Sequence, residues 1–153
     1  MTNVRPYTPA EERFGSVVIK WMSLLNTWAY RLTGGRLGGK FLGGAPVCLV
    51  TVTGRKTGEP RTIPLLYLQD GDDVIVVASK GGMSKHPVWY LNLIANPTCE
   101  VEVGRTRHAM RAARVSAEEK AALWPRLCAM YPDYAEYQAR TTRDIPVLRL
   151  SPT

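Results

Sequence analysis

The sequence has few of the residues that build metal centres and disulfide frameworks. Its three cysteines (Cys48, Cys99 and Cys128) and two histidines (His86 and His108) show no CxxC or HxxxH spacing along 153 residues. An odd number of cysteines that lie far apart indicates free thiols in a reducing compartment. We therefore predict no metal site and no disulfide scaffold.

Long apolar runs are also absent. No stretch approaches the roughly 18 apolar residues that predict a membrane-spanning helix. Residues 1–15 are polar and lack the apolar core of a secretory leader, so we expect a cytoplasmic protein. With 45% hydrophobic and 22% charged residues, the composition is typical of one globular domain.

The chain has fewer acidic than basic residues. The chain has 20 Lys and Arg against 13 Asp and Glu, a net charge of +7. The excess lies before residue 116, because residues 116–153 are neutral. A basic chain of this kind attracts anions, such as nucleic acid, an acidic membrane surface or a phosphorylated cofactor.

The N-terminal third contains one strongly amphipathic segment. Residues 1–12 are predicted to be a mobile arm, and residues 34–44, with six glycines, a flexible connection. Between them a helix is predicted over 13–32, with an apolar stripe of Phe14, Val18, Trp21, Leu25, Trp28 and Leu32. Packing of this stripe on the core is the favoured interpretation. The alternative is peripheral contact with a membrane through the Trp-rich face.

The remainder of the chain mixes strands and helices without strict βαβ alternation. Strands are predicted at 46–53, 61–69, 73–79, 98–103, 106–115 and 146–150, and helices at 88–95, 117–130 and 133–143. This order favours an α+β barrel over a doubly wound sheet. In strand 98–103 the alternation predicts that Glu100 and Glu102 point outward.

Two glycine-flanked segments carry basic residues. Arg55, Lys56 and Arg61 lie in residues 54–61, which we call the cationic turn, and Lys80 follows Ser79 at the start of residues 79–87, the Ser79 loop. Backbone N–H groups exposed by glycine bind phosphate oxygens, and Lys and Arg add charge-assisted hydrogen bonds. The residues alone leave open whether these are anion sites or solvated turns.

Aromatic residues form a second constellation. Tyr131, Tyr134 and Tyr137, the tyrosine cluster, recur at three-residue steps and offer flat apolar walls with hydroxyl tips. Core packing is the preferred interpretation of these residues taken alone, as it is for Trp89. His86 is predicted to be an ordinary surface residue. No GxSxG motif, carboxylate pair or Cys/His dyad is present, so an enzyme of this sequence would need a cofactor.

Three stretches resemble one known family. TVTGRKTGEPRTIPLLYL (51–68), VIVVASKGGMSKHPVWYLNLIANP (74–97) and WPRLCAMYPDYAEYQ (124–138) are similar to the deazaflavin-dependent nitroreductases. These are the coenzyme F420-dependent branch of the split β-barrel flavin oxidoreductases. The resemblance covers nearly the whole chain after residue 15. It implies an α+β split β-barrel with peripheral helices, formed as a single deazaflavin-binding domain by residues 13–153.

The resemblance also implies the site. The cofactor would be F420, whose phospholactyl-oligoglutamate tail is anionic. The implied tail ligands are Arg55, Lys56 and Arg61; Ser79, Lys80 and Gly81 would line the cofactor; and Val88, Trp89 and Tyr90 would flank the deazaflavin. The tyrosine cluster and Ser79 would contact the substrate, with Tyr134 and Ser79 as the catalytic hydrogen-bond donors. Glu59 departs from the family pattern, because it places a carboxylate near the tail ligands.

The implied activity is hydride transfer from reduced F420 to a quinone or nitroaromatic acceptor. Two alternatives stay open: a non-catalytic protein that binds F420 or another polyanion, and a reductase that uses FMN. Nucleic acid is disfavoured, because its binding would interleave aromatic and basic residues, whereas the tyrosine cluster lies in the neutral C-terminal quarter. We expect a monomer.

Overall fold

The computed structural model describes residues 4–40 and 44–153. Residues 1–3 of the predicted arm and residues 41–43 of the predicted glycine-rich connection lie outside the described residues.

The first element is a long helix, α1, which spans Pro9–Thr33. The Thr8 side chain accepts a hydrogen bond from the Glu11 N–H, and the Glu11 carboxylate accepts one from the Thr8 N–H. This capping box starts the helix at Pro9, so residues 9–12 of the predicted arm form its first turn. Gly34 ends it in the left-handed conformation, with φ of 64°.

The strands form one antiparallel sheet in the order β2-β1-β5-β6-β7-β4-β3. They are β1 Val47–Thr53, β2 Pro60–Leu66, β3 Leu68–Asp70, β4 Asp73–Val77, β5 Thr98–Val103, β6 Thr106–Arg114 and β7 Val147–Pro152. Seven strands replace the six that were predicted, because the predicted strand 61–69 is divided at Tyr67.

That division curls the sheet. β2 and β3 are the two edge strands, yet Tyr67 alone separates them in sequence, so the edges must meet there. At this point the Tyr67 N–H donates to the Pro46 carbonyl at 3.1 Å, which continues the β1–β2 register by one residue. The resulting curled antiparallel half-barrel, with helices around it, confirms the predicted α+β split β-barrel with peripheral helices.

Three further helices cover the two faces of the sheet: α2 Val88–Ala95, α3 Ala117–Met130 and α4 Asp133–Arg140. Alternate residues of β4 point into two cores. Val76 packs with Tyr90 and Leu93 of α2, whereas Ile75 packs with Leu127 of α3. β4 is therefore packed on both faces.

The favoured prediction that the α1 stripe packs on the core is wrong. Trp21 and Trp28 are 67% and 64% exposed, and Tyr30 is the buried residue of the helix. At about 100° per residue, Glu12 and Tyr30 share one face of the helix, and the stripe lies opposite. Both face the protein: the Glu12 carboxylate binds Ser84, and the Tyr30 hydroxyl accepts from the Gly104 N–H at 2.6 Å. Helical periodicity revealed the stripe but not which side is anchored.

Glu102 points away from the barrel core, as the alternation predicts, but α1 covers it instead of solvent. Glu102 is 8% exposed because the C-terminal part of the helix covers this face of β5. Its carboxylate lies 3.7 Å from Arg31 and 3.8 Å from Arg107. A buried carboxylate is tolerated because two guanidiniums flank it.

Candidate functional site

The cationic turn joins β1 to β2. The Gly54 N–H donates to the Glu59 carbonyl and the Gly58 N–H to the Gly54 carbonyl, each at 2.8 Å. These bonds close a tight hairpin connection that holds Arg55 and Lys56 in solvent. Within residues 4–40 and 44–153, no carboxylate forms an ion pair with Arg55, Lys56 or Arg61. The turn thus presents three cations without a protein counter-ion.

Asn92 of α2 fixes the position of Arg55. Its side-chain oxygen accepts from the Arg55 backbone N–H and from the Arg55 guanidinium, both at 3.1 Å. Asn92 is 3% exposed, so these bonds satisfy a buried polar group. Sequence reasoning missed this residue, although a lone amide within the apolar helix VWYLNLIA was the available signal.

The Ser79 loop has an unusual backbone. Ser79 is right-handed (φ −78°, ψ −39°), whereas Lys80 has φ of 44° and is the one non-glycine residue with positive φ in the part of the chain that is described. Gly81 follows with φ of 63°. A right-handed residue followed by a left-handed one turns successive N–H groups to the same side, which creates an anion-binding concavity. That Ser79, Lys80 and Gly81 line the cofactor stays a prediction, and this backbone shape is compatible with it.

Gly82 brings this loop against α4. A Cβ atom at Gly82 would lie 2.6 Å from the Tyr137 carbonyl oxygen and 3.0 Å from its Cα, so no larger residue fits. Its φ of 79° also favours glycine. Close packing here joins the Ser79 loop to the tyrosine cluster.

The tyrosine cluster is one contiguous group of rings. Ring centroids lie 5.0 Å apart for Tyr131 and Tyr134, 6.0 Å for Tyr131 and Tyr137, and 6.4 Å for Tyr134 and Tyr137. The hydroxyls of Tyr131 and Tyr137 are hydrogen-bonded at 2.9 Å. Tyr131 and Tyr134 are 7% and 3% exposed, and Tyr137 is half-buried. Tyr131 caps α3 in an extended conformation, so the three-residue steps do not follow one helix.

Burial keeps these phenols protonated. Desolvation is the main cause that raises the pKa of Tyr131, Tyr134 and Tyr137 above its ordinary value. The Tyr131–Tyr137 hydrogen bond raises the pKa of Tyr131 further. Each hydroxyl therefore stays a hydrogen-bond donor at neutral pH.

The residues expected to flank a flat ring differ in their accessibility. Val88, in the first turn of α2, is 58% exposed, whereas Trp89 packs against the core, as its sequence context predicted. Tyr90 is 6% exposed, and its hydroxyl accepts from Arg114 at 3.2 Å. Its ring lies 4.8 Å from that of His86. Val88 is thus the side chain of the three that is open to a ligand.

Contacts and chain order connect the segments that hold the predicted site residues. The cationic turn is bound to α2 through Asn92, α2 follows the Ser79 loop, and Gly82 packs on Tyr137. Two clefts of about 340 and 480 Å³ lie elsewhere, around Ser151 and Trp124, and no predicted site residue lines them. The described ranges hold no cluster of three or more metal-ligating side chains and no helix suited to crossing a membrane.

The chain is similar to characterised and solved proteins along most of its length. The profile of a family described as F420H(2)-dependent quinone reductase matches residues 21–152. An F420H(2)-dependent quinone reductase of Mycobacterium tuberculosis is 43% identical over 125 residues, which are 80% of this chain and 84% of that protein.

Two solved structures are similar in both sequence and fold. An F420-H2 dependent reductase, FDR-A, is 41% identical with a TM-score of 0.65, over 69% of this chain and 94% of that chain. A second structure, described as a domain-swapped dimer, is 36% identical with a TM-score of 0.67, over 84% of this chain and 96% of that one.

Proposed function

The chain belongs to the F420H(2)-dependent quinone reductase family, and we propose that it transfers a hydride from reduced coenzyme F420 to a quinone. The family, oxidoreductase class and cofactor expected from the sequence are confirmed by these similarities. The observation that carries the proposal for this chain is the cationic turn, whose three cations have no carboxylate partner among the described residues.

The donor groups of the site fit the anionic tail of F420. Arg55, Lys56 and Arg61 supply exposed positive charge, and the backbone of Ser79 and Lys80 supplies a concavity of N–H groups. Among the described residues, no internal ion pair has to break before these cations bind an anion. When bound, the reduced deazaflavin supplies the hydride.

Protein hydroxyls complete the proposed chemistry. A quinone that gains a hydride develops negative charge on an oxygen, which a neutral phenol stabilises by donating a hydrogen bond. We assign this role to Tyr137, because it is half-buried beside Gly82 and its hydroxyl is already oriented by Tyr131. Because Tyr134 is buried, we assign its ring to the wall of the site and not to the hydrogen-bond donation expected from the sequence. The Ser79 hydroxyl bonds to none of the described residues and is therefore free to share the donor role.

Nitroaromatics are a second acceptor class for the same site. They also leave negative charge on an oxygen after hydride transfer, so the same donors serve both classes. The family description favours the quinone.

Binding experiments separate this proposal from the FMN and non-catalytic alternatives. F420 and FMN are titrated into the protein at several salt concentrations, with cofactor fluorescence as the signal. We expect F420 to bind more tightly and its affinity to fall as salt rises, because the cations are exposed. Equal affinity for FMN, or affinity independent of salt, would contradict the proposed tail site. A protein that binds F420 but gives no turnover with any quinone would be the non-catalytic alternative.

The exposed apolar stripe of α1 is relevant to the oligomeric state of the protein. A relative that is 36% identical is described as a domain-swapped dimer, which speaks against the expected monomer. We propose that a second copy covers the stripe, since an apolar patch containing Trp21 and Trp28 is unusual on a monomer.

Sedimentation of the wild type and of W21S/W28S tests this: a dimer that dissociates in the variant is expected. A wild-type monomer that binds anionic vesicles through these tryptophans would establish the membrane alternative instead. A cytoplasmic location stays part of this proposal.

A further inference from the structure

The Ser79 loop is held by an arginine that is not among the predicted site residues. Arg143 lies in the connection between α4 and β7, and its Nε donates to the Met83 carbonyl at 2.8 Å. Its Nη2 donates to the Ser79 carbonyl at 2.6 Å, and its Nη1 to the Ala78 carbonyl at 3.2 Å. One guanidinium thus binds carbonyls at both ends of the strained segment 79–83.

The same guanidinium reaches His86. The Arg143 Nη1 lies 3.1 Å from the His86 Nδ1, and because the guanidinium has only donors, that nitrogen accepts. His86 is therefore the neutral tautomer with its proton on Nε2. The ring is buttressed by Tyr90.

Arg143 has no carboxylate partner within ion-pair distance in the described residues. Burial lowers its pKa, and Glu12 partly opposes this shift. A half-buried guanidinium used entirely on carbonyls and an imidazole is more consistent with fixing a backbone shape than with a surface charge pair.

The backbone conformation that these contacts hold includes the positive φ angles of Lys80, Gly81 and Gly82. Within the loop, the Gly82 and Met83 N–H groups donate to the Ser79 and Lys80 carbonyls at 2.9 and 3.1 Å. These two short-range bonds are few for a segment that includes a strained non-glycine residue. The contacts from Arg143 add a constraint from outside the loop, beside the Glu12–Ser84 hydrogen bonds and the packing of Gly82 on Tyr137.

We propose that Arg143 is a positioning residue that holds the Ser79 loop in its cofactor-binding conformation and in register with Tyr137. The inference rests on the proposed function for what the loop binds. It depends on the planar fork of arginine, because one lysine ammonium cannot reach the Ser79 carbonyl, the Met83 carbonyl and His86 together.

The test compares R143K and R143Q with the matched control R149K. Arg149 binds Asp70, Asp73 and Glu119 through a similar fork, and none of these residues belongs to the proposed site. Amide hydrogen exchange is measured on the ligand-free protein, and the dissociation constant of F420 by fluorescence titration. Exchange at Gly82 and Met83 should rise in R143K and R143Q relative to the sheet amides, and F420 should bind about tenfold more weakly. R149K should leave both quantities near the wild-type values, although it lowers the melting temperature.

Three outcomes would overturn the proposal. The first is R143K with wild-type exchange and wild-type affinity, since charge alone would then suffice. The second is a uniform rise of exchange over the whole sheet with no local excess at Gly82 and Met83. The third is global unfolding of both Arg143 variants while R149K stays folded, since Arg143 would then belong to the fold. If the wild type fails to bind F420, the proposed function fails, and the exchange measurements still decide the role of Arg143.

Discussion

Arg55 and Asn92 are joined twice, since one amide oxygen accepts both the backbone N–H and the guanidinium of the arginine at 3.1 Å. This double contact spans the first turn after β1 and the middle of α2. It makes the position of a cation in the proposed tail site depend on a buried residue of a different element.

Replacement of Asn92 by alanine should therefore weaken both the fold and F420 binding. Loss of a buried hydrogen-bond acceptor costs about 1–3 kcal/mol of unfolding free energy. Urea denaturation and a fluorescence titration measure the two effects. The matched control is N96A, because Asn96 lies exposed at the end of the same helix and should change neither quantity appreciably. An N92A protein with wild-type F420 affinity would show that Arg55 needs no anchoring.

Replacement of Lys56 by alanine should weaken F420 binding without destabilising the protein. The side chain is exposed and has no hydrogen bond or ion pair among the described residues, so its removal disturbs no internal contact. A lost charge-assisted contact to the tail costs about 1.5–3 kcal/mol of binding free energy, roughly tenfold or more in affinity. K20A, an exposed lysine change on α1, is the control. A collapsed melting temperature with unchanged affinity would make Lys56 a structural residue.

The hydroxyl of Tyr137 should matter more to turnover than that of Tyr134. Tyr137→Phe removes the half-buried donor, and we expect kcat to fall about tenfold, an activation change of about 1.4 kcal/mol. Tyr134→Phe removes a hydroxyl from a ring that is 3% exposed, so kcat should change less. F420 affinity should stay within about threefold in both variants, since the proposed tail site is the cationic turn and neither hydroxyl belongs to it. The reverse ranking of the two kcat values would restore Tyr134 to the donor role expected from the sequence.

Acid should destabilise the protein through His86. Burial is the main cause that lowers the pKa of His86, and the Arg143 and Arg114 guanidiniums lower it further. The Tyr90 ring also packs against the imidazole. The unfolded chain takes up a proton near the ordinary pKa of about 6.5, before the native protein does. The free energy of unfolding therefore falls as the pH drops below about 6.5, towards the lower native pKa.

Denaturation at pH 7.5 and pH 5 measures this effect. The loss of stability on acidification should be smaller in H86Q than in the wild type, because glutamine does not titrate. H108Q removes the other histidine, which is exposed on β6, and is the matched control. Identical acid sensitivity of H86Q and the wild type would contradict a native pKa that lies below the ordinary value.

Local patterns sufficed where a segment's own residues determine its structure. Strand 98–103 and helix 88–95 have the predicted bounds, because period-two alternation and the Asn96-Pro97 stop act within a few residues. Tyr67 could not be recognised as a break, since the apolar run LLYL (65–68) crosses it without a turn residue while the partner strand changes from β1 to β4. Long-range pairing left no trace in the local sequence.

The charged and aromatic residues of the candidate site could be proposed from the sequence, but the residues that support them could not. The family motifs pointed to Lys56 and Tyr137, whereas Arg143 lies in a TTRD segment that is typical of a solvated loop. Its role arises from carbonyls supplied by a segment about sixty residues away in sequence, as the Arg143–Met83 contact shows. The α1 stripe was recognised as amphipathic, but Glu12 and Tyr30 decide which face meets the barrel.

The most direct test is the absorbance of reduced F420 mixed anaerobically with menadione and catalytic amounts of the protein. Hydride transfer predicts oxidation of reduced F420 well above the protein-free rate, saturable in both reactants, with Tyr137→Phe slower at saturation. Oxidation at the protein-free rate, measured where titration shows the cofactor bound, would contradict the proposed quinone reductase activity.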